Sequence, residues 1–176
     1  VLMDAGYRVG VVAQPSLESG DDISRLGEPR LFWGVSAGSI DSLVANYTPS
    51  LKRRRSDDYT PGGLGGRRPD RAVIAYANLI RRFFRNTRPI VLGGIEASLR
   101  RVAHYDFWTD SIRRSVLFDA KADSLVYGMG EKAVLQLAGR MAAGRDFRDV
   151  PGTCFIAKDR PEGAVELPSF EEVSSD

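Results

Sequence analysis

Short, nearly unbroken apolar runs alternate along this chain with stretches whose apolar residues recur every three or four positions. Residues 8–13 (RVGVVA), 30–35 (RLFWGV), 89–92 (PIVL) and 123–127 (DSLVY) are rich in β-branched and aromatic side chains, the pattern of strands buried on both faces. Residues 21–26, 39–47, 71–86 and 132–143 read as helices between them. In the third of these, Ala72, Ile74, Ala75, Leu79, Ile80 and Phe83 share one face, and Asp70 stands where an N-cap belongs. A further helical stretch with Ile95, Leu99 and Val102 follows Gly93 and Gly94, while residues 112–118 suit a helix or a strand equally. Residues 153–157 and 164–167 resemble a closing hairpin around a turn at 161–163. Strands alternating with helices predict an α/β fold with a parallel sheet and helices on both faces.

Residues 1–6 read as the end of a helix closed by Gly6, feeding the strand at 8–13. That is the second step of a βα unit, so the chain reads as a fragment whose first strand and loop are expected upstream of Val1. One domain is expected over 1–168, with a basic, Gly-rich loop at 49–69, and the acidic tail 169–176 reads as a loose linker. Ligands of parallel sheets gather beyond the carboxyl ends of the strands. The candidates are therefore the small residues directly after strands: Ser36-Ala37-Gly38, Gly93-Gly94 and Gly128-Met129-Gly130. Gly93 and Gly94, with Glu96 just beyond, would let a ligand or a neighbouring backbone come close. The run from Gly128 to Ala133 fits a loose dinucleotide fingerprint, but Glu131 puts a carboxylate where a pyrophosphate would lie. A tight turn with Glu131 at the positive end of a helix accounts for the same residues.

With 176 residues, 43% of them hydrophobic, the chain can bury a core without covalent or metal staples. A single cysteine, Cys154, and a single histidine, His104, exclude a disulfide framework, a Cys-rich zinc site and an iron–sulfur cluster held by this chain alone. Cys154 reads as a buried, inert thiol, and one thiol fits a reducing cytoplasm. No apolar run approaches the length of a membrane span. His104, beside Tyr105, Asp106 and Trp108, suits either a general base or single metal ligand, or a hydrogen-bonded structural histidine.

The net charge of +2 conceals an uneven distribution: residues 50–101 hold 13 Lys and Arg against 4 Asp and Glu. Lys52-Arg53-Arg54-Arg55, Arg67-Arg68 and Arg81-Arg82-Arg85-Arg88 could meet the phosphates of RNA. Asp57, Asp58 and Asp70 interrupt that charge, however, and only Tyr47 and Tyr59 stand nearby for base stacking. Nucleic acid is therefore disfavoured against a solvated face or a surface for an acidic partner domain.

Several long motifs resemble the amino-terminal region of the YgiQ-type radical SAM proteins. They are PIVLGGIEASLRR ending at Arg101, His104-Tyr105-Asp106-Phe107-Trp108, LFWGVSAG ending at Gly38, Asp58-Tyr59-Thr60-Pro61, Arg68-Pro69-Asp70-Arg71 and Arg113-Arg114-Ser115-Val116. The resemblance implies a flavodoxin-like, cobalamin-binding-like domain ahead of a radical SAM core in the same cytoplasmic polypeptide, with a small-molecule substrate. It also implies a [4Fe–4S] cluster and S-adenosylmethionine in that core. The Cys-x-x-x-Cys-x-x-Cys motif is absent from this chain, so the domain alone is not expected to be catalytic. Similar domains carry Gly-Gly after one strand and Gly-x-Gly-Glu after a later one, which match Gly93-Gly94 and Gly128, Gly130 and Glu131. The resemblance thus marks Ser36, Gly38, Gly93, Gly94, Glu96, His104, Gly128, Gly130 and Glu131 as lining a cobalamin or a substrate. A histidine loop for cobalt would lie upstream. A free-standing nucleotide-binding domain and an RNA-binding module are the alternative readings.

Overall fold

The computed structural model describes residues 1–175. Its centre is a four-stranded sheet of β1 (Trp33–Ser36), β2 (Ile90–Gly93), β5 (Ser124–Val126) and β6 (Thr153–Cys154), in the order β1-β2-β5-β6. The first three are parallel, with Val35 opposite Leu92 and Leu92 opposite Leu125. β6 runs antiparallel to β5, which corrects the expectation of a wholly parallel sheet. The described strands follow one another outward in one direction, so the sheet itself contains no reversal of strand order.

Alternation along β2 assigns the two faces. Ile90 and Leu92 join Val35 and Leu125 on one side, where they pack with Val73, Ala77 and Ile80 of α3 (Ala72–Phe83) and with Val116, Leu117 and Ala120 of α5 (Val116–Ala120). Val91 and Val126 point to the other side and meet Ala133 and Leu137 of α6 (Glu131–Ala142), with Val150. Helices thus cover both faces, and each fully buried Val, Leu or Ile here contributes roughly 1.5–3 kcal/mol. The short helices α1 (Asp21–Ser24), α2 (Ser42–Asn46) and α4 (Gly94–Leu99) complete this layer arrangement. The ambiguous segment after α4 is a hairpin, β3 (His104–Asp106) and β4 (Ser111–Arg113), joined to α5. Among the described residues no helix is long and apolar enough to cross a membrane.

Three expectations fail for identifiable reasons. Residues 8–13 form no strand; they lie outside the sheet with Val11 80% exposed, and a β-branched run without a partner has no ladder to join. Residues 164–167 likewise remain irregular and exposed, so β6 pairs with β5 instead of closing a hairpin. The tail does form a helix, α7 (Phe170–Ser175), with Ser169 and Glu172 capping one another in a capping box. Val1–Gly6 is a single turn, closed by Gly6 at φ +84° as the sequence suggested.

Candidate functional site

The parallel register brings the ends of β1, β2 and β5 to one edge of the sheet. Ser36 stands opposite Gly93, and the turn at Gly128 to Gly130 follows β5 on the far side of β2. The three glycine-bearing turns selected from the sequence therefore share this edge. Gly94, at φ +80°, lies so close to Ser36 that a Cβ there would come 2.7 Å from the hydroxyl oxygen. Gly93 is extended and its Cβ position faces open space. Gly38 N–H donates to Ser36 Oγ at 3.0 Å, tightening the turn after β1. Gly130 opens α6, and Glu131 is exposed in the first turn of that helix, where the dipole favours an acid.

Glu96 stands apart from these turns. It is 1% exposed, and its carboxylate accepts from Ser42 N–H at 2.8 Å, from the Ser42 hydroxyl and from Val73 N–H at 3.0 Å. Ser42 Oγ in turn accepts from Ala72 N–H at 2.9 Å. Glu96 and Ser42 thus supply the N-terminal cap of α3 from two other helices. This replaces Asp70, which instead accepts from Asn46 Nδ2 at 2.6 Å and from the Tyr47 hydroxyl at 2.8 Å. Arg71, in the left-handed region at φ +53°, turns the chain into the helix.

Three arginine–carboxylate pairs hold the surrounding loops. Arg68 donates to Asp57 at 2.9 Å and to the Ala37 carbonyl at 2.6 Å, fixing the basic loop beneath the exit of β1. Burial pushes the Asp57 carboxyl up, but hydrogen bonds from Arg68, Thr60 and Tyr59 N–H outweigh it and hold it below its ordinary value. Arg71 pairs with Asp106, whose carboxyl is likewise raised by burial and lowered further by Arg71, Thr109 and Trp108 N–H. Arg100 pairs with Asp41, which caps α2 through Leu43 N–H. Composition revealed none of these pairs, because the partners stand 11, 35 and 59 positions apart. The long motifs did carry Arg68, Arg71, Arg100 and Asp106.

His104 belongs to a different place. It lines a groove of about 400 Å³ with Leu99, Tyr105, Phe107, Trp108 and Tyr47, and none of the glycine turns lines that groove. Its Nδ1 lies 3.1 Å from the Val102 carbonyl. Cys154 is half-buried on β6, its thiol pushed up by burial and drawn back by Arg101.

The family model described as Radical SAM N-terminal matches residues 1–176. This chain belongs to the Radical SAM N-terminal family. A UPF0313 protein of Thermotoga maritima is 57% identical over 98% of this chain, and one of Fusobacterium nucleatum is 52% identical over 99%. A UPF0313 protein of Pseudomonas aeruginosa is 52% identical over 96%. The chain spans 31%, 31% and 23% of those relatives' lengths. The solved structure of TsrM, a radical S-adenosylmethionine methyltransferase from Kitasatospora setae, aligns with 73% of this chain and 18% of its own, at 22% identity and a TM-score of 0.44. Membership of this family implies S-adenosylmethionine and an iron–sulfur cluster in the longer protein of which such a domain is part. Cys154 is one thiolate where such a cluster needs three or more, and no group of three metal-ligating side chains occurs among the described residues. The residues of this Radical SAM N-terminal domain therefore do not fit that cluster.

Proposed function

We propose that this domain caps the active site of a radical SAM core carried by the same polypeptide, and that the glycine-turn edge of its sheet is the surface turned towards that core. The observation that carries the reading is the character of this edge. Ile95, Tyr127 and Met129 are exposed beside Gly93, Gly94 and Gly128, and Met129 is 87% exposed. Small residues at the strand ends permit close approach of a flat ligand or a neighbouring backbone, and exposed apolar side chains between them suit burial against another surface. The greater length of the relatives leaves ample chain to cover it.

In this reading the cluster and S-adenosylmethionine belong to the core, and the domain's part is to exclude water and hold a small-molecule substrate against it. Cobalamin has the small-residue turns it would need, but His104, the chain's one imidazole, lies on the groove and not at this edge. No step is assigned to a corrin here. A nucleotide at the turn of Gly128 to Gly130 would meet the exposed Glu131 carboxylate, which disfavours that alternative.

Hydroxyl-radical footprinting of the full-length polypeptide tests the cap. Met129 is expected to be protected from oxidation, while Met3, 70% exposed and outside the glycine turns in sequence, oxidises readily. Equal oxidation of Met129 and Met3 would overturn the proposal.

A further inference from the structure

The aromatic groove holds more than His104. Tyr47 and Trp108 pack at a 48° tilt with ring centroids 4.5 Å apart, Phe107 meets Trp108 edge-on at 5.9 Å, and Phe107 is 56% exposed. The turn at 48–52 folds the basic run back against these rings, with Tyr47 bridged to Arg53 and the Arg53 guanidinium 5.8 Å from the Tyr47 centroid. Two carboxylates line the groove, Asp41 and Asp106, and each is neutralised by an arginine. Arg54, also in the lining, donates to the carbonyls of Val44 and Tyr47 and keeps its charge. Lys52, Arg53 and Arg55 are exposed and form no ion pair among the described residues. Of the acids that interrupt the basic run in sequence, Asp57 is withdrawn from it, whereas Asp58 and Asp70 stay exposed and are outnumbered by the four exposed basic side chains from Lys52 to Arg55. Asp57 is buried against Arg68, and Asp70 is engaged by Asn46 and Tyr47.

We infer that this groove binds single-stranded nucleic acid, with a base stacked on exposed Phe107 beside half-buried Trp108 and phosphates held by Lys52, Arg53 and Arg55. The exposed ring of Phe107 can accept any base on a π-face, and an unneutralised basic run nearby tracks the backbone. The charge complementarity favours a polyanion over a neutral peptide, and the rings favour unpaired bases over a duplex. This inference does not depend on the cap, because the groove lining shares no residue with the glycine turns.

Fluorescence anisotropy of the full-length polypeptide with labelled oligouridylate, oligothymidylate and a duplex of equal length tests it. Saturable binding of a single strand is expected, weaker for the duplex, with a log–log salt slope near −2 for about three phosphates. R53E/R55E should weaken binding by at least tenfold and flatten that slope. Phe107→Ala should weaken it about tenfold with the slope unchanged. Arg145→Glu, an exposed basic site lining a different cavity, serves as the control and should leave affinity unchanged. The two single strands separate an RNA from a DNA preference. Absence of saturable binding, equal duplex affinity, or indifference to R53E/R55E and Phe107→Ala would each overturn the inference.

Discussion

The hydroxyl of Ser42 donates to the carboxylate of Glu96 across a sequence separation of 54, and both side chains are sealed from water. Through this contact the starts of α2 and α3 are tied to the helix that follows the glycine turn. Glu96→Ala would strand the N–H groups of Ser42 and Val73 together with the hydroxyl. A loss on the order of 3 kcal/mol is expected in urea unfolding. Glu96→Gln, which keeps an acceptor oxygen, should lose less. A loss below about 1 kcal/mol for the alanine variant would show that these bonds do not stabilise the fold.

Acid should weaken the domain in a defined window. Asp57 and Asp106 both titrate below their ordinary value of 3.8 in the folded chain. A depressed folded pKa gives stability that is complete above the unfolded pKa and is lost as pH falls through the folded one. Stability is therefore expected to hold down to about pH 4 and then to decline. Asp57→Asn should reduce stability at neutral pH and shallow this decline, as followed by circular dichroism. An unchanged acid profile in that variant would remove Asp57 as a cause.

Arg68→Ala leaves Asp57 buried without its partner and frees the Ala37 carbonyl. Removing one side of a buried pair typically costs about 3–5 kcal/mol, and a lowered thermal midpoint is expected. A shift indistinguishable from that of an exposed arginine such as Arg67 would mean the pair is solvated in solution.

The two glycines at the junction of β2 and α4 should respond unequally to a methyl group. Gly94→Ala forces a side chain into the left-handed region and against Ser36 Oγ, at a cost of about 2 kcal/mol. Gly93→Ala, extended and facing open space, should unfold within about 0.5 kcal/mol of the parent. Equal losses would contradict the close packing of Gly94 on Ser36.

Much of the fold was legible because burial on both faces writes itself into β2 and β5 as unbroken apolar runs, and burial on one face writes itself into α3 and α6 as helical periodicity. Residues 8–13 carry the same composition as β2 yet form no strand, since pairing depends on a neighbour that local composition does not reveal. The glycine turns were legible from their place after strands. Asp57, Arg68, Arg71 and Asp106 were not legible from composition, because a basic loop reads as solvated until its partners are placed beside it. The groove was hidden for a similar reason. Tyr47 stands near the arginines in sequence, but only the turn between β3 and β4 brings Trp108 against it, with Phe107 beside Trp108.

β1 pairs with β2 on one side only and forms a margin of the sheet. Its outer backbone groups pair with no strand among the described residues, which leaves them open to a strand from a second copy. Handling of the domain is consequently a question of concentration as much as of stability: self-association can proceed through this margin while every helix and ion pair remains intact.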